Sequence, residues 1–179
     1  MLLTKAQQFT LDAVGRLGCV RRRQLAALLD ARFPTGGKGH SGQRVDAILG
    51  QLRFGNANLR LEEDLVLAPH GTADPLFLEA VDVMLELAGG ALLEYAARQP
   101  PPVLLRFSTQ STRIHLFAVA AAEAVPPGAV RSPSERIVYL TSTGGLPAVP
   151  QLPNKQFYAV RQADGSHRFF AQEGQNNNK

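Results

Sequence analysis

The sequence predicts an α+β fold in which helices come first and strands come later. In the first half, apolar residues recur at the three- and four-residue spacing of helices. In the second half, short apolar runs rich in β-branched and aromatic residues are typical of strands. The polar segment from His70 to Pro75 between them has the composition of a linker. We therefore predict two units, residues 1–70 and 75–174, and a disordered tail at 175–179.

The first two helices of the N-terminal unit have clear boundaries in the sequence. Thr4 followed by Gln7 fits a capping box at a helix start, and Gly18 is the residue type that ends helices. A short turn at Cys19-Val20 then leads to a second helix over about 22–32. Both segments are amphipathic, so each is expected to bury one face.

A third helix and a hairpin complete the N-terminal unit. A loop at 34–40 precedes Ser41, a favoured N-cap residue. Apolar runs at 59–61 and 65–67 then flank a short acidic turn, as in a small hairpin. Three helices followed by a hairpin is the element order of a winged helix-turn-helix domain. The buried stripe of the third helix is predicted to be Val45, Ile48, Leu49 and Leu52.

The C-terminal unit is predicted to be one helix followed by strands. The helix runs from Pro75 to Leu87, and Ala91–Arg98 is either a further helical turn or an irregular edge segment. Asp164-Gly165 between two apolar runs is a strong hairpin signal. The predicted strands are 103–107, 113–119, 136–140, 156–160 and 167–170.

Charge is distributed unevenly along the chain. Residues 1–60 carry ten Lys and Arg against three Asp, a net charge of +7, whereas residues 61–179 carry −3. A basic half suggests contact with a polyanion, although a basic solvated surface is the alternative. Cys19 is the only cysteine, which excludes an intrachain disulfide. With no signal peptide and no apolar stretch long enough to span a bilayer, we expect a cytoplasmic protein without membrane contact.

Polar and basic residues around the third helix are the candidate nucleic-acid contacts. On that helix the residues pointing away from the stripe include Arg and Gln, which can bind guanine and adenine edges in a major groove. The arginine triplet starts the second helix, which crosses the phosphate backbone in helix-turn-helix docking. Ordinary solvated faces are the alternative interpretation of both groups. The candidate set is Arg21, Arg22, Arg23, Lys38, Gln43, Arg44 and Gln51.

The acidic hairpin turn is the main sequence evidence against simple duplex binding. Glu62, Glu63 and Asp64 would be repelled by DNA phosphates. They suit a protein partner that carries a basic patch, and we treat them as a candidate protein-contact wing.

Catalytic and metal-binding patterns are absent from the sequence. The four histidines are scattered, no His/Cys cluster has metal-ligand spacing, and no GxSxG motif is present. We therefore predict a protein that is not an enzyme and needs no cofactor or metal.

The pattern from Leu3 to Pro69 resembles the winged-helix front of uncharacterised proteins on bacterial plasmids and conjugative elements, including the replication-relaxation type. The remainder is similar to the degenerate restriction-endonuclease-like domain that follows in such families. A working nuclease of that type needs Asp and Asp/Glu-x-Lys on adjacent strands to hold Mg²⁺. Here 113–120 contains no carboxylate, and Pro153 and Asn177 stand two residues before Lys155 and Lys179. The resemblance implies a DNA-binding protein of a mobile element, without nuclease activity.

Two functions remain open from the sequence. The first is non-enzymatic binding of double-stranded DNA or a nucleoprotein complex, for a plasmid, phage or conjugative element. The second is an anti-CRISPR-type inhibitor that binds a host effector nuclease or its nucleoprotein complex. The acidic turn and the negative second half favour the second, and the basic first half favours the first.

Truncation of the third helix's stripe tests the predicted domain. If Leu49 is a core residue, Leu49→Ala lowers the free energy of unfolding by about 2–5 kcal/mol, through lost burial and a residual cavity. Urea denaturation measures this change. A variant as stable as the parent would contradict the assignment.

Overall fold

The computed structural model describes residues 2–34, 41–55, 57–89, 91–110, 112–122, 125–141, 149 and 151–172, with the backbone alone for residues 41 and 92–95. The described residues form four α-helices, a three-stranded sheet and a six-stranded sheet, which confirms the predicted α+β class. None of the helices in these ranges is long and apolar enough to cross a membrane.

The N-terminal part alternates helices with very short strands. The capping box predicted for the first helix is present, since Gln7 N donates to Thr4 Oγ1 and Thr4 N donates to Gln7 Oε1. Gly18 ends this helix with φ 80°, a conformation that costs glycine little. The elements are α1 (Lys5–Leu17), β1 (Cys19–Arg21), α2 (Arg22–Arg32), α3 (Ser41–Phe54), β2 (Arg60–Glu62) and β3 (Leu65–Leu67).

The segment predicted as a turn at Cys19-Val20 is the start of a strand. β1 pairs antiparallel with β3, which places Cys19 opposite Leu67 and Val20 opposite Val66. β2 pairs with the other side of β3, so the sheet order is β1-β3-β2. The turn prediction was wrong because the pairing partner lies more than forty residues ahead in the chain, where local composition does not reveal it.

The predicted core stripe of α3 is confirmed. Val45, Ile48, Leu49 and Leu52 are all buried. They pack in one cluster with the apolar residues of α1 and α2 and with the central strand β3. Burying this stripe directs the opposite face of α3 to solvent.

The C-terminal part contains one helix and a mixed sheet. α4 (Pro75–Ala88) begins at Asp74, whose carboxylate accepts from Leu76 N and Phe77 N, each at 3.1 Å. Its end is fixed by Gly89 in the left-handed conformation. The other elements are β4 (Leu92–Arg98), β5 (Val103–Gln110), β6 (Ile114–Ala120), a 3₁₀ turn (Pro127–Ala129), β7 (Arg136–Thr141), β8 (Gln156–Arg161) and β9 (His167–Ala171).

The six-stranded sheet contains one strand that sequence patterns did not identify. The segment 91–98, predicted as a helical turn or an irregular edge segment, contains the edge strand β4 (Leu92–Arg98), which pairs with β5 and shifts register between Leu93 and Tyr95. The order is β4-β5-β6-β7-β8-β9. β6 and β7 are parallel, as are β7 and β8, and the other neighbours are antiparallel.

A single hydrophobic core extends across the predicted boundary at residues 70–75. α4 packs on β5 and β6, where Phe107 and Phe117 stack with ring centroids 4.8 Å apart. The same cluster of buried residues includes Leu25 of α2 and Leu49 of α3. A smaller cluster around Tyr139 and Tyr158 lies on the other sheet face. The division into two units stays a prediction, but buried apolar surface is shared between them.

Gly71, in the segment predicted as a linker, lies against the backbone of Gly18. A Cβ atom at position 71 would stand 2.1 Å from the carbonyl oxygen of Gly18. That oxygen also accepts the N–H of Ala68 at 2.9 Å. The segment between the two units therefore packs closely on the end of α1 and tolerates no side chain at this position.

Gly71→Ala is expected to lower the free energy of unfolding by about 1–3 kcal/mol, because the backbone must move to remove the clash. Gly50→Ala is the matched control. Gly50 lies within α3 with open space around it, so alanine there should be neutral or stabilise by up to about 1 kcal/mol. Equal effects of the two substitutions in urea denaturation would contradict the close approach.

Candidate nucleic-acid interface

The face of α3 opposite the core stripe is open to solvent. Gln43, Asp46, Ala47 and Arg53 are exposed along it. Gln43 makes no side-chain hydrogen bond to any other residue that the structure describes. Gln43 and the carboxylate of Asp46 lie toward the start of the helix, Arg53 lies near its end, and Ala47 lies between them.

Two of the predicted α3 contacts are engaged in the fold. Arg44 Nη1 donates to the carbonyl oxygen of Phe33 at 2.9 Å, and its guanidinium lies 5.9 Å from the centroid of the Phe33 ring. Gln51 Oε1 accepts from Nε2 of the buried Gln7 at 2.8 Å. Arg44 fixes α3 to the end of α2, and Gln51 fixes it to α1. Among the residues that the structure describes, Gln43 has no such contact, unlike the other two predicted α3 residues.

Two arginines of the triplet share one carboxylate on α4. Asp82 Oδ2 lies 3.1 Å from Arg21 Nη1 and 2.7 Å from Arg23 Nη2. Gln24 Nε2 donates to Asp82 Oδ1 at 2.8 Å and to the carbonyl oxygen of Leu78 at 2.7 Å. This cluster joins the first turn of α2 to the middle of α4. Arg23 is nevertheless well exposed, whereas Arg21 is largely covered.

Arg22, the remaining arginine of the triplet, pairs with a carboxylate on α3. Arg22 Nη1 donates to Asp46 Oδ1 at 2.7 Å, and both side chains are accessible to solvent. The N–H of Arg22 donates to the carbonyl oxygen of Asp64 in the hairpin turn at 2.8 Å. Arg22 therefore lies where α2, α3 and the hairpin meet. Lys38, the remaining basic residue of the predicted set, lies outside the described residues.

The acidic turn protrudes from the three-stranded sheet. Glu62, Glu63 and Asp64 are all exposed, as the sequence predicted. Glu63 has φ 47°, the left-handed conformation of a tight turn. Arg60 on β2 pairs with Glu62, so one of the three charges has a partner.

A groove of mixed polar and apolar character lies between α3 and β2. It has a volume of about 270 Å³ and is lined by Leu49, Arg53, Ala57, Leu59 and Leu61. Phe54, the last residue of α3, is 93% exposed and follows directly on the lining residue Arg53. Sequence reasoning did not single out Phe54 or Arg53, although an aromatic residue next to a helix-ending glycine is a visible signal.

The polar face of α4 is the part of the molecule that sequence reasoning missed most. Glu79, Asp82 and Glu86 follow at the spacing that places side chains on one side of a helix. His167 Nε2 lies 3.3 Å from Glu79 Oε1, and its Nδ1 lies 2.9 Å from Glu86 Oε1. Arg161 Nη1 lies 3.6 Å from Glu79 Oε2. These carboxylates bind the β8–β9 hairpin, as Asp82 binds α2.

Within the described ranges, no group of three or more His, Cys, Asp and Glu side chains is arranged to hold a metal ion. Burial raises the pKa of the Cys19 thiol, and this outweighs the lowering influence of the hydrogen bond with Asp74. A buried thiol that stays protonated is a poor nucleophile.

Comparisons with protein-family models, curated proteins and solved structures find no match. The resemblance to mobile-element proteins therefore stays a prediction, and the function is argued from the geometry of this chain.

Asp82→Asn should lower the free energy of unfolding by about 1–3 kcal/mol, because it removes the charge that Arg21 and Arg23 share. Asp46→Asn is the matched control. Asp46 also faces an arginine of the triplet, but its side chain is 62% exposed against 14% for Asp82. Its loss should cost no more than about 1 kcal/mol.

Urea denaturation at low and moderate salt measures both variants. A destabilisation of Asp82→Asn no larger than that of Asp46→Asn would show that the Asp82 cluster is only a surface ion pair.

Proposed function

We propose that residues 1–70 form a winged helix and that the protein binds double-stranded nucleic acid without catalysing a reaction. The observation that carries this proposal is the solvent-facing side of α3. The element order α1-β1-α2-α3-β2-β3 and the sheet order β1-β3-β2 support it. In this arrangement α2 and α3 are the pair that a helix-turn-helix protein places against the phosphate backbone and in the major groove.

Charge supports a polyanionic partner for this face. The net charge of +7 for residues 1–60 already includes Asp46, the partner of Arg22. Asp82 lies outside this range and adds one negative charge beside Arg21 and Arg23, and Asp64 of the acidic turn adjoins Arg22, so the basic excess is a property of residues 1–60 as a whole. Arg23 is 65% exposed even with its carboxylate partner and remains accessible to a phosphate.

The structure changes which residues we propose as contacts. Gln43 and Arg53 lie on the exposed face of α3 and are the best candidates for base edges and the adjacent phosphate. Arg22 and Arg23 flank them and suit phosphates. Arg44 and Gln51 act by holding α3 in place. We further propose the cytoplasm as the site of action and a mobile element as the genetic setting, as the sequence pattern implies.

Binding to a fluorescent duplex, measured by anisotropy over a range of salt concentrations, tests the proposal. Affinity should fall steeply with salt, with a slope of about −0.9 per phosphate contacted. Arg53→Ala and Arg23→Ala should each make the slope less negative by about 0.9, the contribution of one phosphate contact. Gln43→Ala should reduce the free-energy difference between preferred and other base sequences by about 1–3 kcal/mol. Arg113→Ala, an exposed arginine before β6, is the control and should change nothing.

Two results would contradict duplex binding through α3. The first is undetectable binding at about 50 mM salt and micromolar protein. The second is binding that Arg113→Ala weakens as much as Arg53→Ala, which would indicate a diffuse charge effect instead of a site on α3.

A second candidate function is docking to a protein that carries a basic, apolar surface, as an inhibitor of a host nuclease would do. The exposed acidic turn, the groove between α3 and β2, and the exposed Phe54 at the end of α3 favour it. This candidate predicts weak binding to free DNA. It also predicts that Glu62→Lys, Glu63→Lys and Asp64→Lys together abolish binding to a nuclease complex, whereas Arg23→Ala, a change outside the groove, leaves that binding nearly unchanged.

A further inference from the structure

The two edges of the six-stranded sheet differ in how they are covered. α1 and α2 both pack against β4, the strand at one edge. β9 forms the other edge and is paired only with β8 among the strands that the structure describes. Unpaired strand edges are templates for pairing with another chain.

The hydrogen-bond pattern shows which backbone groups of β9 point away from β8. Gln162 N donates to Ser166 O at 2.8 Å, and Gln172 N donates to Gln156 O at 2.9 Å. Because hydrogen-bonded pairs alternate along an antiparallel ladder, Arg168 and Phe170 direct their backbone groups to β8. The backbone N–H and C=O groups of the alternate residues, His167, Phe169 and Ala171, point away from β8.

A contact on α4 agrees with this assignment. The N–H of His167 donates to Glu86 Oε2 at 3.0 Å, so this group does point away from β8. Glu86 thereby accepts from the first backbone N–H of β9 that points away from β8. The outward N–H groups of Phe169 and Ala171 have no such acceptor among the described residues.

The side chains of β9 are unusually apolar for an exposed edge. Phe169 is 37% exposed and Phe170 is 44% exposed, and they lie on opposite faces of the sheet. Edge strands that stay unpaired commonly carry Lys, Pro or a bulge. β9 carries one arginine, Arg168, and its pairing with β8 shows no register shift.

We propose that β9 pairs antiparallel with β9 of a second copy of this chain, about a two-fold axis at Phe169. In this register the N–H of Phe169 donates to the carbonyl of the partner's Phe169, and the reverse bond forms by symmetry. Ala171 N–H donates to the carbonyl of the partner's His167, and the N–H of that His167 exchanges Glu86 Oε2 for the carbonyl of Ala171, because the two acceptors need the same position. The result is one continuous twelve-stranded sheet across two chains.

The side chains in this register are complementary. Residues directly opposite share a face, so Arg168 faces the partner's Phe170 on one side of the sheet and Phe169 faces the partner's Phe169 on the other. An arginine against an aromatic ring is favourable, and the two arginines do not oppose each other. This self-complementarity is why a second copy, instead of an unrelated extended peptide, is the proposed occupant.

The dimer should be weak and reversible. A five-residue strand pair alone buries less than the roughly 1,200 Å² of a stable interface, so association should depend on concentration between about 10 and 500 µM. Its existence does not rest on the proposed nucleic-acid binding, since no residue of α3 takes part.

Sedimentation equilibrium of the full chain, with two substitutions at one position, tests the proposal. Phe169→Pro removes the outward N–H but no bond to β8, and proline is tolerated at such an edge position. It should abolish dimerisation. Phe169→Ala keeps the N–H and should weaken dimerisation by no more than about tenfold. Unchanged circular dichroism and thermal midpoints of both variants would show that the fold is retained.

Amide hydrogen exchange of the parent chain supplies a second, independent measurement. The amides of Phe169 and Ala171 should gain protection as concentration rises, whereas those of Arg168 and Phe170 should be protected at every concentration. A chain that stays monomeric to about 500 µM would overturn the proposal. So would a dimer that persists in Phe169→Pro, or protection of Phe169 and Ala171 that is independent of concentration.

Discussion

The carboxylate of Asp82, together with the shared apolar core, joins the start of α2 to the helix that covers the large sheet. It lies on α4 and accepts from Arg21, Arg23 and Gln24, all at the beginning of α2. Cations at a helix N-terminus are disfavoured by the helix dipole, and a nearby carboxylate offsets that penalty. An arginine run that suggests a phosphate-binding segment from sequence therefore also has a structural role. It holds the start of α2 against the helix that covers the large sheet.

Fixing α2 in this way has consequences for α3. α2 and α3 pack together in one core, and Arg44 and Gln51 add polar contacts from α3 to the ends of α2 and α1. The exposed face of α3 is thus presented by packed elements that extend through α4 to the sheet. Holding a binding face in place favours binding, because less conformational freedom is lost when a partner is bound. The same support serves either a nucleic acid or a protein partner.

The features that sequence reasoning predicted are those with local causes. The buried stripe of α3, the capping box at Thr4 and the Asp164-Gly165 hairpin each depend on residues within a few positions of one another. β1 and β4 were missed because a strand needs a partner, and their partners lie elsewhere in the chain. The candidate contact residues stay a prediction, since a hydrogen bond within the fold neither shows nor excludes contact with a nucleic acid.

The sequence indicated which polar and basic residues α2 and α3 carry, but not the contacts that these residues make within the fold. Arg44 and Gln51 have the side chains of base-reading residues, yet each is engaged by a neighbouring helix. Asp82 lies about sixty residues from the arginines that it binds, so no spacing rule connects them. Gly71 resembles an ordinary linker glycine, and only the three-dimensional approach to Gly18 explains why a side chain is excluded.

One denaturation experiment with two probes tests most directly whether α4 joins the molecule into one cooperative unit. The chain has no tryptophan, and its three tyrosines, Tyr95, Tyr139 and Tyr158, lie on strands of the large sheet. Tyrosine fluorescence therefore reports on the sheet, whereas labelling of the buried Cys19 reports on the N-terminal part. We predict that both signals change at the same urea concentration, as in two-state unfolding. Labelling of Cys19 at a clearly lower urea concentration than the tyrosine transition would contradict the account.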